Sequence, residues 1–232
     1  MYARFLKRLF DFFISLTALS VLSPLLVLLA IVGAVAMRGN PFFTQLRPGR
    51  ISKKTGKEKI FKLIKFRTMS NKKDKDGNLL PDAVRLNKYG KLLRSTSLDE
   101  LPELLNILVG HMAIVGPRPQ LVRDMTFMTP EQRRRHSVRP GLTGLAQVNG
   151  RNNITWEEKF EYDLKYIEKI TLFIDIKILF ATVGKVLKRS DTVREGTDSD
   201  MDFGDWLMQE GKVNEETYNE KQKEARELLE VQ

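Results

Sequence analysis

Asp99 and Glu100 are adjacent carboxylates at the start of a helical pattern that runs from Ser95 to Gly110. Free backbone N–H groups and the helix dipole favour negative charge in a first turn, so the pair is expected to be ionised. Such a pair is a candidate for catalysis or for binding a hard cation. On this segment alone a cap is the preferred reading, because Ser97 with Glu100 fits a capping box and Asp99 is an acceptable N-cap with Pro102 at N3. The neighbouring segments favour chemistry. In Gly116-Pro117-Arg118-Pro119 two prolines fix the backbone on either side of one arginine, so its guanidinium has little freedom left to lose on binding phosphate in a fork. A surface turn with an incidental arginine is the alternative. Lys65, Arg67 and Arg94 add candidate cations for phosphate. A third stretch, Arg139 to Arg151, holds three glycines that let backbone N–H groups approach a ligand, with Gly141, Thr143, Gly144, Gln147, Asn149 and Arg151 as candidates for a nucleotide side. It lacks the Walker and dinucleotide-loop spacings, and a packed turn is its alternative.

These residues need elements to hold them. Pro41 to Gln45 and Lys59 to Phe66, rich in aromatic and branched side chains, read as two strands of a β-hairpin around a basic loop with Gly49 and Gly56. Ser70 to Asp82 is polar and contains an Asp76-Gly77-Asn78 turn signal, and a helical pattern follows over Asn87 to Arg94. Thr155 with Glu158 forms a capping-box pattern that opens a helix to about Lys169. Ile170 to Arg189 is apolar on one face but too charged to span a bilayer. It fits a helix lying in the membrane interface or one packed on the core. Two short helices are expected around Gly211, over 205–210 and 215–229.

The N-terminus sets where the site sits. Phe12 to Met37 is an uncharged apolar run of 26 residues flanked by basic residues. As one helix it would extend about 39 Å at roughly 1.5 Å per residue, against a bilayer core of about 30 Å. Positive charge on both flanks argues for keeping both ends in the cytoplasm. Pro24 breaks or kinks a helix, and the Ser23 hydroxyl can satisfy the freed Ser20 carbonyl. The expectation is a re-entrant hairpin broken at Ser23-Pro24, with arms Phe12 to Leu22 and Leu25 to Met37. A kinked single-pass anchor is the alternative.

Composition narrows the chemistry. With 232 residues and 42% hydrophobic content, the chain can bury one catalytic core beside the anchor. It has no cysteine and two histidines, which excludes disulfides and thiolate zinc and leaves hard-cation chemistry on carboxylates. The net charge of +10 hides a division: residues from Asp191 onward carry −8, and those before it +18. A basic body beside an apolar anchor suits lipid headgroups and phosphorylated substrates rather than nucleic acid. A membrane-attached basic scaffold without catalysis is the competing reading. The expected fold is α+β and mainly helical: anchor 1–38, cytoplasmic-face catalytic domain 39–190, acidic helical tail 191–232. The tail has the basic body or a second copy in a homodimer as candidate partners, and it is otherwise inert.

Together, Ser23-Pro24, Lys65-Phe66-Arg67-Thr68-Met69, Ser97-Leu98-Asp99-Glu100-Leu101-Pro102, Gly116-Pro117-Arg118-Pro119 and Arg139 to Arg151 resemble, in order and spacing, the small monotopic phosphoglycosyl transferases of bacteria. The bacillosamine initiator of protein glycosylation is the nearest form. The resemblance covers Met1 to about Arg189, and with it a downstream glycosyltransferase becomes a third candidate partner for the tail beyond. It implies transfer of a sugar 1-phosphate from a UDP-sugar to polyprenol (undecaprenyl) phosphate at the cytoplasmic face of the bacterial inner membrane, with Mg²⁺ and release of UMP. It further implies that Asp99 attacks the β-phosphorus and lies next to Mg²⁺, that Glu100 positions the metal or handles a proton, and that Arg118 holds phosphate.

Overall fold

The computed structural model describes residues 2–150, 154–188 and 201–230. After a π-helical turn over Tyr2–Leu6, α1 runs through Lys7–Met37 and ends at Arg38 in the left-handed region. The expected pair of arms is instead one helix that passes through Pro24. The reason is local: the Ser23 hydroxyl donates to the Ser20 carbonyl at 2.8 Å, replacing the bond that Pro24 cannot make.

One stripe of α1 packs on the rest of the fold along its whole length. Near its start Arg8 donates to the Ile107 and Leu108 carbonyls (2.6 and 2.7 Å), and Asp11 accepts the Ile114 N–H at 3.0 Å. Ala18, Leu19 and Leu22 then meet the main core, and Leu25, Leu26 and Leu29 meet Phe66 and Leu93. Near its end the Tyr89 hydroxyl donates to the Leu29 carbonyl (2.8 Å) and the Asn87 amide to that of Ala36 (3.1 Å). The remaining faces expose large apolar side chains such as Phe13, Val21, Val27, Ile31 and Val35. By length and composition α1 suffices to cross a membrane.

The β-hairpin pairs β1 (Phe42–Ile51) with β2 (Glu58–Phe66), antiparallel, with Phe42 opposite Phe66 and Pro48 opposite Ile60. β1 runs farther than its apolar stretch suggested, because pairing carries it through Arg47 and Pro48. Proline is tolerated there because each strand of a two-stranded sheet has a free edge. Helix α2 (Asp82–Arg85) leads into α3 (Lys88–Thr96), capped by Asn87, whose side chain accepts from the Gly90 N–H. The single helix expected over 95–110 is divided. Ser97 turns left-handed (φ 56°), Leu98–Glu100 form a 3₁₀ turn, and α4 spans Glu103–Val109 up to Gly110 at φ 90°. Pro102 has no N–H for the Leu98 carbonyl, which takes the tighter Leu101 N–H at 3.3 Å. The capping box at Ser97 therefore does not form.

Short parallel strands β3 (Ala113–Val115) and β4 (Gly141–Thr143) bracket α5 (Val122–Met125) and α6 (Pro130–Arg133). Beyond α7 (Leu145–Asn149), α8 (Trp156–Glu168) opens on the expected box: the Thr155 N–H donates to Glu158 Oε2 at 2.7 Å, and the Glu158 N–H to Thr155 Oγ1 at 3.2 Å. Helix α9 (Leu172–Lys188) packs on the core with one face and leaves an apolar face exposed. Ile178 is buried in the core with Leu104, Ile107, Met112 and Tyr166, while Phe173 and Phe180 are each 76% exposed. Asp175 is buried and bonds Lys7 Nζ, Tyr2 and Tyr166 at 2.6, 2.6 and 2.8 Å, fastening α9 to the start of α1. In the tail, α10 (Phe203–Gln209) and α11 (Glu215–Glu230) dock on the body of their own chain.

Candidate active site

The 3₁₀ turn after α3 delivers Asp99 and Glu100 into a cleft of about 600 Å³. Lys65 from β2, Arg67, Arg94 from α3, Glu103 from α4 and Arg118 line the same cleft, so segments distant in sequence converge there. Glu100 Oε1 accepts from Lys65 Nζ at 2.9 Å and from Arg118 Nη2 at 2.7 Å. The ammonium also lies 3.0 Å from Glu103 Oε1. Burial pushes the Glu100 carboxyl up, but the charges of Arg118 and Lys65 outweigh it and hold the group well below the usual carboxylate range. Those carboxylates in turn keep both cations charged: Glu100 raises Arg118, and Glu100 with Glu103 reverses the burial penalty on Lys65.

Asp99 is different. Among the described residues no hydrogen-bond or ion-pair partner reaches its carboxylate. Burial first, and then the charge of Glu100, pushes its pKa up from 3.8 to about 6. It is thus ionised near neutral pH, open to the cleft, and costly to keep charged without a cation or electrophile nearby. Glu103, the missed neighbour, is pushed by burial to about 7, with Lys65 opposing and Glu100 adding. Its position one helical turn beyond Glu100 was the available signal, since residues three apart share a face.

Arg118 is fixed through its backbone as well as by its prolines. Its carbonyl accepts from Arg135 Nη2 at 2.7 Å, and Arg135 binds Asp163 Oδ2 on α8 through Nε and Nη2 at 2.9 and 2.6 Å. Both partners are almost fully buried. Sequence reasoning missed this support, because nothing in 133–135 marks which arginine turns inward. Arg47, also missed, donates to the Pro119 carbonyl at 3.2 Å and to Gln45 Oε1 at 2.7 Å. Arg94 Nε donates to Thr68 Oγ1 at 3.1 Å.

The glycine-rich stretch requires a correction. Of the residues expected on a nucleotide side, only Gln147 lines the cleft among the described ones. Its Oε1 is buried without a hydrogen-bond partner. Gly141 and Gly144 serve backbone contact instead: a Cβ on Gly141 would lie 2.1 Å from the Gly116 nitrogen, and one on Gly144 2.2 Å from the Gly116 oxygen. Thr143 Oγ1 meets Thr182 Oγ1 at 2.7 Å, and Asn149 donates back to Leu145 O at 2.7 Å. Arg151 lies outside the described residues. The packed turn thus holds the loop before Arg118 in place by β3–β4 pairing.

A divalent cation has no cage of protein ligands here. No group of three or more histidine, aspartate or glutamate side chains able to hold an ion occurs among the described residues. One carboxylate, Asp99, together with phosphate oxygens of a substrate matches how Mg²⁺ is often held.

A family model for bacterial sugar transferases matches residues 2–189. An uncharacterized sugar transferase of Bacillus subtilis, EpsL, is 49% identical over 184 residues, covering 78% of this chain and 87% of that protein. A UDP-glucose:undecaprenyl-phosphate glucose-1-phosphate transferase of Klebsiella pneumoniae is 39% identical, over 77% of this chain but 39% of its own length, so the chain matches part of a longer protein there. The exopolysaccharide production protein PSS of Rhizobium leguminosarum is 37% identical over 79% of this chain and 96% of that protein. The likeness to phosphoglycosyl transferases holds at this level, while these relatives do not extend it to the bacillosamine type. With four-fifths of its length inside the matched region, the chain belongs to the bacterial sugar transferase family.

Proposed function

We propose that the protein moves a sugar 1-phosphate from a UDP-sugar to undecaprenyl phosphate and releases UMP, as a membrane step of polysaccharide or glycoconjugate synthesis. The observation that carries this reading is the cleft-facing Asp99, without a hydrogen-bond or ion-pair partner among the described residues, beside a glutamate that already holds two cations. Asp99 attacks the β-phosphorus; its carboxylate oxygen forms the new P–O bond as the bond to the bridging oxygen breaks and UMP leaves. A phosphate oxygen of the lipid then attacks the same phosphorus, and the Asp99 carboxylate departs unchanged. Dividing the displacement in this way lets one buried carboxylate serve as nucleophile and leaving group. Glu100 orients Arg118 and Lys65 toward the phosphoryl oxygens, where their charge offsets the negative charge of the transition state. Asp99 is the residue that would hold Mg²⁺, which when bound would supply further charge neutralisation. Gln147, which lines the cleft, is the residue of the glycine-rich stretch placed to meet the nucleotide side.

The anchor is read as re-entrant, with both ends on the cytoplasmic face of the inner membrane. Its support is that the two ends of α1 bond to the same body, through Arg8 at one end and Asn87 and Tyr89 at the other. The exposed apolar faces of α1 and α9 then meet lipid, and the site stays at headgroup depth, where a soluble donor and a lipid phosphate can both reach it. Because the chain has no native cysteine, one engineered near Met1 reports topology cleanly; labelling from outside intact cells would count against re-entry. The activity is tested by UMP release across a panel of UDP-sugars with undecaprenyl phosphate and Mg²⁺. Asp99→Asn should abolish release and any trapped phosphosugar adduct, and full turnover in that variant would refute the assignment.

A further inference from the structure

The family match ends at residue 189, yet the tail beyond it reaches the cleft: Met201 and Asp202 line the wall that also carries Trp156, Lys159 and Arg123. We propose that this docked C-terminal segment is part of the donor-binding site, closing the end of the cleft that receives the soluble sugar nucleotide. The inference rests on the transfer reaction proposed above.

Three observations carry it. First, the segment is seated by specific contacts. The Phe203 ring, 3% exposed, lies 5.2 Å from Trp156 and 5.0 Å from Phe160, and its N–H donates to Asp124 Oδ1 at 2.9 Å. The Trp156 indole N–H donates to the Met201 carbonyl at 3.2 Å, and Arg123 pairs with Asp202. Second, this seat is continuous with the support of the phosphate-facing arginine. Phe160 carries the Arg135 guanidinium at 5.8 Å from its ring centre, and Arg135 donates to the Arg118 carbonyl. Asp124 meanwhile holds the Leu121 N–H at 3.0 Å, in the loop that follows Pro119. Undocking Phe203 therefore loosens both the wall and the backbone that presents Arg118.

Third, charge and position keep the segment off the lipid surface, which leaves the soluble donor as the substrate this wall can meet. Residues 201–230 carry nine acids against four bases, so anionic headgroups repel them. Their described contacts are with α5, α8 and the connecting loops, whereas the exposed apolar faces belong to α1 and α9.

The test uses the full-length protein in lipid nanodiscs, with KM measured separately for the UDP-sugar and for undecaprenyl phosphate. Phe203→Ala should raise the donor KM by about tenfold or more, leave the lipid KM within about twofold, and be rescued in large part by Phe203→Leu. Asp202→Asn, which keeps the aromatic seat, should raise the donor KM by a smaller factor. Trp206 stacks on Phe203 at 6.0 Å, so its fluorescence reports whether the tail has left its seat. An undocked tail with unchanged donor KM, or an equal rise in both KM values, would overturn the proposal. Absence of UMP release by the unmodified chain with every UDP-sugar would instead overturn the reaction itself.

Discussion

Replacing Asp99, the proposed nucleophile, should make the protein more stable, and the gain should follow pH in a defined way. Asp99 has its pKa raised from 3.8 to about 6, first by burial and then by the charge of Glu100. Its protonated form is therefore the one the fold prefers, so its contribution to stability is complete below pH 3.8 and is lost as pH rises through about 6. Two pKa units correspond to about 3 kcal/mol at most, and residual contact with water brings the expected figure to about 2–3 kcal/mol. Asp99→Asn keeps the shape and removes the titration. Its advantage should be absent near pH 3.5, about half developed near pH 5, and level above about pH 7. At about 2–4 °C per kcal/mol for a chain of this size, the neutral-pH rise in Tm is about 4–12 °C. The assay is thermal unfolding of both proteins in one detergent with EDTA, stepped across pH, with UMP release measured in parallel. A variant no more stable at pH 7 than the parent, or an advantage that does not grow between pH 4 and 7, would refute the claim that burial and Glu100 strain this carboxylate.

Other substitutions test separate links. Mg²⁺ added with UMP should raise the Tm of the parent but not of Asp99→Asn; equal shifts would place the cation elsewhere. Arg118→Lys keeps charge but loses the fork, and kcat/KM should fall by about tenfold or more, read from initial UMP-release rates over donor concentration. Arg135→Ala leaves the Asp163 charge buried and unpaired, costing about 3–5 kcal/mol in denaturant unfolding, whereas Arg135→Met combined with Asp163→Leu should cost much less. Gly141→Ala should fail through stability, because its Cβ would lie 2.1 Å from the Gly116 nitrogen; a folded variant with only a raised donor KM would return this glycine to a ligand-binding role.

Sequence alone marked the elements whose cause is local. The apolar run of α1, the Thr155 capping box, the β-hairpin and the two tail helices each follow from neighbouring residues, and the structure has them. The Asp99-Glu100 pair and the proline-framed Arg118 stood out together by residue type and rigid neighbours, and the resemblance carried by their motifs supplied the expected roles of nucleophile and phosphate clamp. Tertiary structure decided what depends on contacts distant in sequence. It showed that Glu100 binds Lys65 and Arg118 while Asp99 has no such partner among the described residues, that Arg135 and Asp163 hold the Arg118 backbone, and that Gly141 and Gly144 face Gly116 rather than the cleft. It also set the tail against Trp156 and Phe160. No sequence pattern reports which of several equivalent charges will be desolvated together. That is set when separate segments pack, and there the surviving ion pairs are those whose attraction outweighs the loss of water.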